Sequence, residues 1–282
     1  MSAPRAAVVG HVEWVDFAVV DRLPAPGEIV HAHEAFADVG GGGGIAAVAM
    51  ARLAGGAQLF TALGDDAHAA ASERALRAHG VTVRAGRRER GQRRCFTHLS
   101  TADRERAITV LGPRMMPSGD DPLPWEALGD LDAVFVTAGD AAAIRRARAA
   151  RIVVATPRAA PDLLDAAIAL DAVVFSDADA GERGIAETLD PAPALVMRTR
   201  GAAGGVWETS AGAPGAWAAA PLPGEPVDAF GCGDAFAAAV TLGLAAGVGV
   251  ERAAAFGARV GAAVVCGRGP YGARLEDVAR PW

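Results

Sequence analysis

Residues 228–234 read Asp-Ala-Phe-Gly-Cys-Gly-Asp and run straight into an apolar, Ala-rich segment. Gly231, Cys232 and Gly233 are small enough to leave a run of backbone N–H groups open at a helix start. With the positive end of a helix dipole behind them, such amides form an anion cradle. Asp234 puts a carboxylate beside that cradle. A carboxylate repels bound phosphate, so its presence needs a reason. One reason is a base that takes a proton from an attacking hydroxyl while the amides hold a transferring phosphoryl group. The other is a plain helix N-cap, since Asp after Gly is a common start. The heptapeptide alone leaves both open.

A second glycine-rich feature, Gly40–Gly44, opens an Ala-rich segment ending near Gly55. It reads either as exposed amides that let a ligand approach the backbone or as a flexible turn. No Lys follows it, so it is no Walker loop, and it lacks the setting of a dinucleotide fingerprint. A nicotinamide-dependent oxidoreductase is disfavoured on that ground. Asp16 follows the first strand signal, where the carboxyl end of a parallel strand presents groups to a cleft. Alone, it reads equally as a surface or capping residue. The Arg-dense stretch 84–94 suits either an anionic ligand or a solvated face, and Trp14 either stacks on a ligand or fills a small core. His11 and His98 read as structural. Cys232 at a helix start reads as a small spacer or a stabilised thiolate.

The elements that must position these residues follow a rhythm. Short apolar runs at 6–10, 58–63, 133–137, 152–156, 172–175 and 194–199 alternate with helical segments, the pattern of βαβ units around a parallel sheet. Segments 14–20, 28–36 and 95–110, the last a hairpin around Ala102-Asp103, stand outside that rhythm. They predict a small separate sheet over the ligand cleft, the outline of a lid. The 282 residues can bury a large core, and half are hydrophobic. The net charge of -6 predicts no general affinity for nucleic acid or anionic membranes. The longest apolar tract, 235–250, is shorter than the ~18 residues of a spanning helix. Three unspaced cysteines argue against a disulfide framework or zinc site and fit a reducing cytoplasm. The chain has no Lys and no Asn, so all 27 basic residues are Arg. A strict motif match at Lys or Asn positions is therefore not to be demanded.

Taken in order, Gly10-His-Val-Glu-Trp-Val-Asp16, Leu23-Pro-Ala-Pro-Gly-Glu28, Gly41–Gly44, Leu53-Ala-Gly55, Leu63-Gly-Asp-Asp66 and Asp228–Asp234 resemble the PfkB carbohydrate kinases, the ribokinase-like family. The resemblance spans nearly the whole chain. It implies one kinase domain over 1–282: a Rossmann-like α/β sheet sandwiched by helices, with lid strands near 13–37 and 92–110. It implies transfer of the γ-phosphoryl group of ATP, with Mg²⁺ and K⁺ as accompanying ions, to a hydroxyl of a small sugar, and a homodimer through the lid.

Residue by residue, the resemblance makes Asp234 the base and the amides of Gly231, Cys232 and Gly233 the anion hole. Asp16, Gly41, Gly42 and Asp140 become acceptor contacts, and Thr199 and Gly201 meet the nucleotide. Ser176-Asp-Ala-Asp179 stands at the family's Asn-x-x-Glu, linked to magnesium and phosphate. Asp228, with backbone at Phe230, Val264, Gly267 and Gly269, resembles a monovalent-cation site. The family's Asn in the glycine motif is Ala46 here, and the Thr after the first Asp of the last motif is Ala229. Asp16 beside Gly41 and Gly42 favours a neutral sugar, with a nucleoside or sugar acid as alternatives. A ligand-sensing protein that keeps the fold without turnover is the alternative of another class.

Overall fold

The computed structural model describes residues 2–102 and 106–282. Two sheets are present. The large one has the order β13-β12-β11-β10-β9-β8-β1-β4-β5. Its strands are β1 (Ala6–Val9), β4 (Ala57–Leu63), β5 (Val81–Arg87), β8 (Ala133–Val136), β9 (Ile152–Ala155), β10 (Ala172–Ser176), β11 (Leu195–Thr199), β12 (Gly205–Thr209) and β13 (Pro214–Trp217). From β5 to β11 every pairing is parallel, and β12 and β13 add an antiparallel edge. The small sheet has the order β3-β2-β6-β7, from β2 (Glu13–Val20), β3 (Glu34–Gly40), β6 (Arg94–Ser100) and β7 (Arg106–Leu111).

The inner strands β1, β8 and β9 are apolar at every position because both faces are covered. Alternate residues serve two cores. Val8, Phe135, Val154 and Val174 pack with α1 (Gly42–Ala54), α6 (Cys232–Ala245) and α7 (Val250–Val265). Their neighbours Val9, Val134, Val153 and Val173 pack with α3 (Ala141–Ala147) and α4 (Asp162–Ala166). The remaining helices are α2 (Ala67–Ala78) and α5 (Ala180–Thr188). Among the described residues no helix is long and apolar enough to cross a membrane.

The parallel rhythm and the separate small sheet appear as expected. Three local readings change. The strand expected at 28–36 begins at Glu34 and runs on to Gly40. Upstream, the Glu28 carboxylate accepts from Arg22 and from the Ala25 N–H, which holds 22–28 as a tied loop. The helix expected over 161–170 stops at Ala166, where Ala167 turns left-handed at φ 49°. The β12–β13 hairpin went unforeseen because Gly205 and Gly215 read as breakers. The faces of these glycines are filled by aromatic rings: a Cβ on Gly205 would lie 2.1 Å from Trp217, and one on Gly215 2.2 Å from Trp207. β6 and β7 pair antiparallel as the expected hairpin requires, while Asp103 of the expected Ala102-Asp103 turn lies outside the described residues.

Glycine also sets how tightly α1 seats on β1. A Cβ on Gly43 would lie 2.7 Å from the backbone of Gly10 and His11. Gly184, on the exposed side of α5, has open space around it. Urea unfolding is therefore expected to show Gly43→Ala destabilised by about 1–3 kcal/mol. Gly184→Ala is expected to gain about 0.5–1 kcal/mol from helix propensity. Equal effects at the two positions would contradict this packing.

Candidate active site

β1 leads to β4 on one side, while its other neighbour β8 begins the run to β11, so the chain changes direction across the sheet between β1 and β8. Open α/β sheets bind ligands at the carboxyl ends of strands at such a point. Gly10 and His11 leave β1 there, and Thr137 leaves β8 beside them: a Cβ on Gly10 would lie 2.1 Å from Thr137 Oγ1. The Gly43 N–H donates to the His11 carbonyl at 3.1 Å, which draws the first turn of α1 over this exit.

The first turn of α6 arrives from the other side. Gly231 takes φ +80°, and Cys232, Gly233 and Asp234 begin the helix. The two turns meet, since a Cβ on Gly42 would sit 3.1 Å from Asp234 Oδ1. The Cys232 N–H donates weakly to the Ala229 carbonyl at 3.4 Å. Among the described residues, no backbone carbonyl accepts from the N–H of Gly231 or Gly233. The sequence-predicted base, anion-hole residues and Gly41–Gly42 thus come together as one site.

Asp234 is half-buried. Desolvation raises its pKa to about 6, with Glu182 and Glu13 adding to the rise and Arg158 and Arg106 opposing it. Arg106, on β7, donates to the Ala229 carbonyl at 3.3 Å, so the small sheet touches the anion-hole loop directly. Burial also raises the Cys232 pKa, so Cys232 is a small thiol that leaves the amides open, not a thiolate.

Asp16 requires a correction. Val15 and Phe17 face inward, packing with Ile45 and Phe230. Alternation sends Asp16 to the opposite face, where Arg94 holds it at 2.7 Å. The inward acid of β2 is Glu13. Its carboxylate lies 2.5 Å from Arg93 Nε, at an angle outside hydrogen-bond geometry, and 3.7 Å from His11 Nε2. It also accepts from the Cys95 thiol at 3.0 Å. Arg93 and Arg94 therefore face opposite ways, as strand alternation predicts. Trp14 shares the outer face with Asp16 and lies parallel to His68 at 6.1 Å. Within the Arg-dense stretch, Arg87 pairs with Glu73 and Arg88 with Asp121, so much of it is structural.

Asp140 is a helix cap: its Oδ1 accepts from Ala143 N–H at 2.7 Å and Gly119 N–H at 2.9 Å. Asp179 is likewise the cap of α5, accepting from Glu182 N–H at 3.1 Å. The buried carboxylate of that segment is Glu182, which pairs with Arg158 and accepts from Ser176 N–H at 3.1 Å. The polar-x-x-acid spacing placed on Ser176 and Asp179 recurs three residues on, at Asp179 and Glu182, and that repeat is the signal that could have found it. Thr199 pairs with Ser176 across β10 and β11, and Gly201 follows with φ 56°. Both stand at the carboxyl edge of the sheet.

Among the described residues, no three His, Cys, Asp or Glu side chains could together hold a metal. The residues read as a monovalent-cation site are tied together by hydrogen bonds. The two Asp228 oxygens accept from Phe230 N–H at 2.8 Å and Gly269 N–H at 2.7 Å. The Val264 carbonyl accepts from Gly267 N–H at 2.9 Å. These bonds brace the loop that carries Phe230 and leads into α6.

A sequence model described as pfkB family carbohydrate kinase matches residues 3–277. No curated protein sequence matches the chain. Among solved structures, Arabidopsis thaliana ribokinase complexed with ribose and ATP is 20% identical, with a TM-score of 0.74 and 97% of each chain covered. Escherichia coli phosphofructokinase-2 in complex with substrates and products is 17% identical, with a TM-score of 0.74 and 98% of each chain covered. Adenosine kinase from Sinorhizobium meliloti is 18% identical, with a TM-score of 0.77 and 98% of each chain covered. These likenesses show the fold.

The raised Asp234 pKa fixes a sign. Its folded pKa lies above that of the unfolded chain, so the ionised carboxylate lowers stability above about pH 6, and the penalty fades toward pH 4. Asp234→Asn is therefore expected to melt higher than wild type at pH 7.5, by about 1 kcal/mol, and to converge with it near pH 4. A variant less stable at pH 7.5 would place Asp234 in a stabilising role instead.

Proposed function

The chain belongs to the pfkB family of carbohydrate kinases, and from that premise we propose that it moves the γ-phosphoryl group of ATP to a hydroxyl of a small polyhydroxyl acceptor, a sugar or nucleoside. The observation that supports this most is the meeting of two glycine-paved helix starts on one carboxylate whose pKa stands at about 6. A base so placed is ionised at neutral pH and still takes up a proton readily.

In this reading Asp234 accepts the proton of the acceptor hydroxyl as its oxygen bonds to the γ-phosphorus and ADP departs. The amides of Gly231, Cys232 and Gly233 hold the phosphoryl oxygens, and Arg158 and Arg106 add positive charge beside them. Mg²⁺, when bound with the nucleotide, supplies countercharge to the phosphate oxygens; Asp179 and Glu182 are the carboxylates nearest that role. Thr199 and Gly201 receive the nucleotide. Asp228 braces the loop through Phe230 and Gly269, and no step is assigned to K⁺.

The reading treats 1–282 as one cytoplasmic kinase unit with the small sheet as lid. Phe17 on the lid meets Phe230 edge-on at 4.9 Å, just before the anion hole. Closing that contact excludes water, which otherwise competes as acceptor. Gly41 and Gly42 give the acceptor backbone to lie against. With Asp16 turned outward, the support for a neutral sugar is withdrawn, and Glu13, His11 and Arg93 take its place as groups facing the acceptor. A homodimer through the lid is a proposal of the same standing.

ADP release in the presence of ATP and Mg²⁺, measured across sugars, sugar acids, sugar phosphates and nucleosides, tests the reading. Acceptor-dependent turnover is expected, with kcat falling below about pH 6. Asp234→Asn is expected to lower kcat by about two to four orders of magnitude while ATP binding survives. ATP binding without turnover on any acceptor would favour the ligand-sensing alternative, and unchanged kcat in Asp234→Asn would remove it as the base.

A further inference from the structure

Arg114 is an exposed cation that no carboxylate among the described residues neutralises. It lies on the segment returning from β7 to the large sheet, and its Nη1 donates to the Arg158 carbonyl at 2.8 Å. Arg93 is matched by Glu13 and Arg158 by Glu182. Among the described residues no carboxylate oxygen lies within 4.0 Å of an Arg114 nitrogen. Burial, then the charge of Arg93, lower the Arg114 pKa, with Glu13 opposing them. With Arg93 and Arg158 already matched, Arg114 is the guanidinium of the three left for an external anion to neutralise. A guanidinium fork matches the paired oxygens of a carboxylate or phosphate.

The neighbouring groups show where such an anion would lie. The His11 ring stands over the glycine turn: its Cε1 is 3.6 Å from the Cβ position of Gly42, which is itself 3.1 Å from Asp234 Oδ1. His11 Nδ1 is buried without a hydrogen-bond partner, and so is Thr137 Oγ1 on the β8 side. Burial lowers the His11 pKa to about 4, with Glu13 opposing and Arg114 among the charges that add to the fall. A neutral imidazole with a free nitrogen is a hydrogen-bonding group for a hydroxyl. From Asp234 the surface passes over bare backbone to two unpartnered polar atoms, and the charge of Arg114 acts on the His11 ring beside them.

We infer that the acceptor bears an oxyanion, a carboxylate or a phosphate, at the end remote from the hydroxyl that is phosphorylated, and that Arg114 binds it. The orientation of the hydroxyl toward Asp234 rests on the kinase reading; the oxyanion contact does not. His11 and Thr137 bind hydroxyls between the two ends.

Calorimetric binding without ATP separates the two. The probes are D-gluconate and shorter sugar acids, D-glucose 6-phosphate and shorter sugar phosphates, and the matching neutral sugars. Wild type is expected to bind at least one charged probe about tenfold or more tightly than its neutral counterpart, and the tighter class decides between carboxylate and phosphate. Arg114→Ala is expected to weaken that probe about 10–100-fold and leave the neutral sugar unchanged. Arg114→Lys is expected to recover part of the loss, and Arg94→Ala, on the outer face, to change nothing. In turnover the Arg114→Ala loss should fall on KM and spare kcat. Tighter binding of neutral sugars, equal losses for charged and neutral probes, or no binding of any charged probe overturns the inference. Arg114-dependent binding with no ADP release overturns the kinase reading alone.

Discussion

The site depends on how closely the first turn of α1 can lie against the exit of β1. Gly10 and Gly43 leave no room for a Cβ between those backbones. That contact brings Gly42 within van der Waals reach of Asp234, whose helix starts almost two hundred residues later in the chain. Widening it by a single methyl group would move the glycine turn away from the carboxylate. Two helix dipoles would then no longer address the same space. The large sheet supplies the platform, but side-chain-free backbone supplies the proximity.

A carboxylate at an anion-binding helix terminus is an electrostatic conflict, and the surrounding charges moderate it. Desolvation pushes Asp234 toward its neutral form, and Arg158 and Arg106 pull it back toward the ionised one. Arg158 is held in turn by Glu182, whose backbone neighbour Asp179 caps α5. The Asp234 carboxylate is thus tuned by a chain of contacts that begins at the start of α5. The Asp228 bridge does the corresponding work for the amides, tying the Phe230 turn to Gly269 so that the open N–H groups keep their direction.

What was legible in the sequence was local. A glycine run before a helix, or Gly-Cys-Gly-Asp before another, states its backbone geometry within a few residues. The βαβ rhythm is equally local, because a strand buried on both faces is a short apolar run. Register was harder to read. Asp16 and Glu13 differ only in strand parity, and parity is set by where β2 pairs with β3 and β6, across gaps of tens of residues. The apolar pair Val15 and Phe17 carried the clue, since a residue two before Val15 shares its face. Asp140 and Asp179 showed the opposite difficulty: capping and ligand binding ask for the same residue type at the same place, and only the hydrogen bonds tell them apart. The Trp-on-Gly hairpin was hidden because the partner ring lies on another strand.

Only Gly10, His11 and Val12 separate β1 of the large sheet from β2 of the small one. Each is anchored: the Gly10 N–H to the Phe60 carbonyl, the His11 carbonyl to Gly43 N–H, and the Val12 carbonyl to Gln92 Nε2. On the proposed reading, the joint between the two sheets is also part of the surface that grips the acceptor. In mechanical terms the small sheet is a lever whose fulcrum sits inside the load. A displacement of the sheet carries His11 and Glu13 with it, so grip and closure share one degree of freedom.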